Sequence, residues 1–301
     1  MIEGPATLRA LMADLGPRWA TDLRGNSQQV KEAYAPLLAA APKGGVTVTR
    51  DIAYGPHARH RLDLFRPLDA RRAPVMAFVH GGAFVRGDKR TSTDIYDNVL
   101  YWFAHQGFVG ANIEYRLAPE APYPGGALDV DQAMEWLHAR VAEHGGDPRR
   151  VFLAGHSAGG THVAGYAFDP ALRSGPCRAS AIALVSARLE ADQSSANPNA
   201  PGVRAYFGDD ASRYAQRSPM RLADRSHALP VFIAMAEFEN PLLDVYSLAF
   251  AHRLAAVSGR APRVVQMRGH NHMSIVAHFN SGEDALGREM IDFFGAVPES
   301  V

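Results

Sequence analysis

Gly155-His156-Ser157-Ala158-Gly159-Gly160 follows directly on the apolar run Val151-Phe152-Leu153-Ala154. A buried strand that runs into a serine among small residues, and then into a helix, places an alcohol on a sharp corner. Small neighbours tolerate the strained backbone there, and the helix N-terminus beneath supplies free N–H groups. The chemistry this suits is nucleophilic attack by Ser157 on an acyl carbon. Such a nucleophile needs a base, a group that orients the base, and donors for the oxyanion.

Each has a candidate. His80-Gly81-Gly82-Ala83-Phe84 follows an apolar run ending at Val79, and adjacent glycines at a strand end can turn backbone N–H groups toward a ligand. Gly82 and Ala83 are the expected oxyanion donors, with Ala158 after the nucleophile as the third; Gly81 is less assignable, and His80 is expected to brace the turn. For the base, Gly269-His270-Asn271-His272-Met273 follows the last apolar strand, and His272 is preferred. His270, His272 and His278 lie close in sequence, but no HExxH or Cys/His spacing accompanies them, so no metal is expected. The remaining histidines, His156 and His162 included, read as surface or packed imidazoles. The acid is sought after the strand at 231–236, in the order Glu239, Asp244, Glu237. Phe84, Tyr206, Phe207 and Met273 are the expected apolar lining for substrate. No cofactor is required by this chemistry.

The elements that must position these residues alternate. Leu8, Leu11, Met12 and Leu15, then Val30, Tyr34, Leu37 and Leu38, fall at helical spacing and predict two helices in an N-terminal segment, 1–45. The sequence leaves open whether that segment is plain packing or a small cap over the site. From 46 to 301 the pattern is α/β. A hairpin over 46–54 and 60–65 comes first, then strands over 74–79, 108–115, 150–154, 181–185, 231–236 and 263–267. Helices are expected over 91–105, 127–144, after Ser157, 241–257 and 283–294. Such alternation predicts a mostly parallel central sheet with helices on both faces. The segment 188–217, rich in Ser, Asn, Pro and Asp, reads as a short irregular insertion on the substrate side.

Bulk properties exclude several classes. The chain has 301 residues with 31 basic and 31 acidic side chains, so no net field argues for nucleic acid or an anionic membrane. A single cysteine, Cys177, permits no intrachain disulfide. Glu3 and Asp14 fall where a leader would be apolar, and no run is long enough to span a bilayer. A cytoplasmic protein is the expectation, with a homodimer neither required nor excluded.

The combination of His80-Gly81-Gly82-Ala83-Phe84, Glu114-Tyr115-Arg116-Leu117-Ala118-Pro119-Glu120, Gly155-His156-Ser157-Ala158-Gly159 and a late histidine resembles the α/β-hydrolase superfamily. More narrowly, it is similar to the hormone-sensitive-lipase-like carboxylesterases, over roughly Val46 to Phe294. The resemblance implies a serine carboxylesterase acting on small or aromatic esters through an acyl-enzyme. This chain departs from the family's pattern in three places. Ala83 stands where a third glycine is usual, and Glu239-Asn240-Pro241-Leu242 replaces the usual Asp-Pro-Leu. The third is the segment between the strands ending near Val185 and starting near Val231, which is short and holds no full helical lid; its Tyr206-Phe207-Gly208-Asp209-Asp210 and Ser218-Pro219 are closer to feruloyl-esterase-like and kynurenine-formamidase-like relatives. That leaves arylformamide hydrolysis as an alternative. A non-catalytic ligand-binding protein on the same scaffold is the reading from another class.

Overall fold

The computed structural model describes residues 5–92, 94–225 and 229–298. The N-terminal segment forms α1 (Pro5–Leu15), a 3-10 turn (Gly16–Thr21) and α2 (Leu23–Ala40). The antiparallel hairpin β1 (Val46–Ala53) and β2 (Arg61–Pro67) follows, then β3 (Ala73–Val79), α3 (Asp97–His105), β4 (Val109–Ile113) and α4 (Gly125–Arg140). Next are β5 (Gly146–His156), α5 (Ala158–Phe168) and β6 (Ala181–Val185). Short helices α6 (Ala200–Phe207), α7 (Tyr214–Arg217) and α8 (Pro219–Leu222) lead to β7 (Val231–Phe238). The chain ends with α9 (Leu243–Ser258), β8 (Arg263–Asn271), α10 (Ser274–Ala277) and α11 (Ala285–Gly295).

The strands form one sheet in the order β1-β2-β4-β3-β5-β6-β7-β8, parallel from β4 to β8. Side-chain alternation along the buried strands divides the core in two. Met76 and Phe78 join α1, α2, α3, α10 and α11 on one face. Val75, Ala77 and Val79 join α4, α5 and α9 on the other. The chain leaves β3 for β4 on one side and crosses to β5 on the other, so the strand order reverses between β3 and β5. Open α/β sheets offer their crevice at such a reversal, beyond the carboxyl ends of the strands. The loop from His80 and the corner at Ser157 both emerge there.

Three expectations need correction. The helix expected over 91–105 starts only at Asp97, because Tyr96 adopts φ 78° with its N–H bonded to Asn98 Oδ1 at 2.9 Å. Strands β7 and β8 run past their apolar stretches, to Phe238 and Asn271, which pair after a register shift. Backbone pairing continues there through charged residues that hydropathy does not mark. The segment 188–217 is not irregular throughout, since α6 buries Val203, Tyr206 and Phe207. No helix among the described residues is long and apolar enough to cross a membrane.

Candidate active site

At the end of β5 the backbone of Ser157 takes φ 56° and ψ −120°, a strained conformation for a residue with a side chain. The corner closes because its neighbours lack side chains. A Cβ on Gly155 would lie 2.6 Å from Gly159 O, and one on Gly159 would lie 2.3 Å from Val79 O. Ser157 is pinned by its N–H to Val185 O at 3.0 Å, while its carbonyl accepts from Gly160 and Arg188 N–H, each at 3.1 Å.

His272, on the turn between β8 and α10, brings Nε2 to 3.0 Å from Ser157 Oγ. Its Nδ1 lies 2.8 Å from Glu239 Oε2. The carboxylate fixes the tautomer: Nδ1–H donates to Glu239, leaving Nε2 as an acceptor facing the Ser157 hydroxyl. Glu239 is oriented in turn by donors to Oε1, from Ala236 N–H at 2.8 Å and from the Ser186 hydroxyl. Ser186 follows β6 with φ 45°, its N–H on Ala234 O at 2.7 Å. Serine, imidazole and carboxylate therefore form one continuous hydrogen-bonded chain. Of the other acid candidates, Glu237 is exposed and accepts from Gly269 N–H at 2.7 Å, and Asp244 sits in the first turn of α9. Of the other imidazoles in the base region, His270 and His278 face one another at 4.6 Å, with His278 Nδ1 on Ser274 O at 3.1 Å.

The loop after β3 passes over the nucleophile, where a Cβ on Gly81 would lie 3.0 Å from Ser157 Cβ. Gly82, Ala83 and Phe84 have φ of 148°, 49° and 72°. At Gly82 only glycine fits, since a Cβ would lie 1.8 Å from Arg86 O. Gly81 N–H is already bonded to Tyr96 Oη at 3.1 Å, which leaves Gly82 and Ala83 as the loop's candidate oxyanion donors. Ala158, as the first residue of α5, has an N–H that no earlier turn of the helix can accept.

A buried polar cluster supports this loop. His80 Nδ1 lies 2.7 Å from Gly81 O, and its Nε2 lies 2.8 Å from Glu114 Oε1. Burial alone would push the Glu114 carboxyl up, but the hydrogen bond and charge of His80, with the Arg59 guanidinium and Lys89 N–H, hold it below the ordinary range. Tyr115 Oη donates to His80 O at 3.0 Å, and Ala118 N–H donates to Phe84 O at 2.9 Å. The Tyr115–Pro119 stretch thus buttresses the glycine turn.

The side chains expected to line a substrate site are packed within the protein. Phe84, Tyr206 and Phe207 are each no more than 2% exposed. Phe84 and Tyr206 stack at 4.7 Å, and Phe207 meets both edge-on. The rings clamp α6 onto the loop after β3. Their clustering comes from a helix that the segment's polar sequence did not announce. Met273 is also buried, packed beside α10 in the core. Two surface hollows, of about 470 and 500 Å³, lie elsewhere. One is lined by Pro119 and the outer side of α6, the other by Asp88, Lys89 and Arg90.

Several supporting residues escaped the sequence reading. Besides Ser186 and Tyr96, the N-terminal segment reaches the loops that carry Glu239 and His272. Trp19 Nε1–H donates to Asn240 Oδ1 at 2.9 Å, and Asn271 Nδ2 contacts Met12 Sδ at 3.2 Å. Gly16 lies against the Phe238 ring, where a Cβ would come within 2.3 Å.

Residues 62–168 match the BD-FAE family model. The heroin esterase structure described as bacterial superposes with a TM-score of 0.69 at 25% identity, covering 92% of this chain and 91% of that one. It has the α/β-hydrolase fold. An esterase from Pyrobaculum calidifontis agrees with this α/β-hydrolase in fold, with a TM-score of 0.71 at 24% identity over 98% and 99% of the two chains. Among curated sequences, a probable isoprenylcysteine alpha-carbonyl methylesterase of Oryza sativa subsp. japonica is 26% identical over 242 residues, 80% of this chain. The carboxylesterase NlhH of Mycobacterium tuberculosis (strain ATCC 25618 / H37Rv) is 40% identical over 99 residues, 31% of this chain. The matched regions span 53% of the rice protein and 28% of NlhH. This α/β-hydrolase thus resembles carboxylesterases in sequence and in fold.

Proposed function

We propose that the protein is a serine carboxylesterase that cleaves small or aromatic carboxylic esters through a Ser157–His272–Glu239 triad. The observation that carries this reading is the continuous chain from Ser157 Oγ to His272 Nε2 at 3.0 Å and from His272 Nδ1 to Glu239 at 2.8 Å, set on a strained strand-to-helix corner. In the reaction, His272 takes the proton of Ser157 as the oxygen attacks the ester carbonyl. Glu239 holds the imidazole and stabilises the imidazolium that forms. The developing oxyanion is received by the N–H groups of Gly82, Ala83 and Ala158, and His272 then protonates the departing alcohol. Water attacks the acyl-enzyme by the same route in reverse.

The size preference is supported by the 188–217 segment, which folds down as short helices on the oxyanion loop and forms no separate lid. The names of NlhH, a carboxylesterase, and of the heroin esterase support the ester-cleaving part of the reading. The test is a hydrolysis panel of p-nitrophenyl esters of increasing acyl length, with an N-formyl aromatic amide included. Short-chain esters are expected to turn over best, and Ser157→Ala to lose several orders of magnitude. Wild-type rates in the Ser157→Ala protein would refute the assignment. Faster turnover of the formamide than of any ester would move the substrate class to arylformamides.

A further inference from the structure

His156, the second residue of the Gly155–Gly159 motif, has no role above, and Tyr96, at the head of α3, has been placed only against Gly81. Both are fully buried, and together they bridge the oxyanion loop and the base. His156 Nε2 lies 3.0 Å from the carbonyl oxygen of His272. A carbonyl can only accept, so Nε2 carries the proton and Nδ1 is left as an acceptor. Tyr96 Oη stands 2.9 Å from that Nδ1 and donates to it. The same phenol oxygen accepts the N–H of Gly81 at 3.1 Å. The links form one unbroken series with every donor and acceptor used: Gly81 N–H to Tyr96 Oη, Tyr96 O–H to His156 Nδ1, His156 Nε2–H to His272 O.

Backbone geometry holds the bridge under constraint. Tyr96 has φ 78°, a costly conformation for an aromatic residue, and Asn98 maintains it. The Asn98 side chain accepts Tyr96 N–H at 2.9 Å and donates to Val276 O at 2.8 Å and Phe279 O at 2.9 Å, on and beyond the helix that follows His272. In addition, burial, with the His272 imidazole 4.8 Å away, pushes His156 well below the ordinary histidine range. Burial likewise pushes the Tyr96 phenol up. Both groups therefore stay neutral, in the state the bridge needs.

We propose that Tyr96 and His156 form a positioning strut that fixes the oxyanion loop and the general base at a set separation across the nucleophile. The proposal rests on the esterase reading for its kinetic consequences, though not for its geometry. Without the strut, each loop keeps its own fold, but the two move relative to Ser157. Misplacements of the order of 1 Å cost about a hundredfold in turnover.

The test separates the two ends. Tyr96→Phe preserves the ring and removes both phenol bonds. His156→Asn keeps an acceptor near Nδ1 and loses the donor to His272, whereas His156→Gln keeps a donor near Nε2. With p-nitrophenyl acetate, Tyr96→Phe and His156→Asn are expected to lower kcat about ten- to hundredfold with KM within about threefold. His156→Gln should recover part of the loss of His156→Asn. The double variant Tyr96→Phe/His156→Asn should fall little below the worse single variant, because the strut fails as a unit. Wild-type kcat in Tyr96→Phe, additive losses, or losses matched by the unfolded fraction in thermal melts would overturn the strut. Nitrogen chemical shifts of labelled wild-type protein give a reading independent of activity: His156 is expected as the Nε2–H tautomer. An Nδ1–H or doubly protonated ring would refute the proposal. If wild type shows the expected tautomer yet hydrolyses no ester, the esterase reading fails and the bridge stands.

Discussion

Ser157 occupies its strained corner because Gly155 and Gly159 let two strand ends and a helix meet at backbone distance. The obstacle at Gly159 is main chain, Val79 O at 2.3 Å and His80 O at 2.4 Å, which cannot swing aside as a side chain would. Gly159→Ala is therefore expected to destabilise by about 3 kcal/mol or more, as overpacking against backbone does. Gly44→Ala, with nothing near its Cβ, should fall within about 0.5 kcal/mol of wild type. Denaturant unfolding of the two variants measures both, and equal stability would contradict this reading of the corner. The small-residue requirement also explains why Ser157 could be read from sequence: few backbone arrangements demand Gly-x-Ser-x-Gly after an apolar strand. His272 and Glu239 were legible for a related reason, since each follows an apolar run that ends a strand. Asp244 could be set aside only once α9 was seen to hold it in its first turn.

At the level of elements, the N-terminal segment is tied to the loops that carry Glu239 and His272. Trp19 bonds Asn240 beside Glu239, and Met12 contacts Asn271 beside His272. Asn26 fixes the 3-10 turn through Nδ2 to Trp19 O at 3.1 Å and Arg18 O at 3.0 Å. Trp19→Phe keeps the apolar packing and strands Asn240 Oδ1, at a cost of about 1–2 kcal/mol. With the Glu239 loop loosened, kcat/KM for a short ester should drop about tenfold. A variant equal to wild type in both Tm and kcat/KM would show that the contact does not position the acid. Links of this kind are invisible in sequence because their partners lie far apart, 221 residues for Trp19 and Asn240 and 60 for Tyr96 and His156. Neither Trp19 nor Tyr96 carries a motif of its own. The misreading of α6 has the same origin, because its buried face packs against Phe84, Tyr123, His162 and Tyr214, all distant in sequence or outside its own pattern.

Across the whole molecule, the alternation of strands and helices was plain in the sequence because buried parallel strands are continuous apolar runs. What the pattern could not show is how much polar chemistry the core encloses. Burial lowers His162 and His278 to about 3, and His156 lies well below its ordinary 6.5 as well. A histidine with a depressed folded value contributes stability above its unfolded value of 6.5, and that stability is lost as pH falls, because the unfolded chain takes up protons the folded chain refuses. Each imidazole then contributes up to about 1.4 kcal/mol per pH unit. Unfolding free energy should drop by roughly 2–4 kcal/mol between about pH 7 and about pH 5.5. Equilibrium denaturation at the two values checks this, and equal stability would show that these rings are not held neutral.

The central claim is that Ser157 is a nucleophile activated by His272, and covalent capture tests it most directly. Intact protein treated with a fluorophosphonate should gain the mass of one phosphonyl group, mapped by peptide sequencing to Ser157, and His272→Ala should react far more slowly. Absence of an adduct, or its attachment to another serine, would contradict the account.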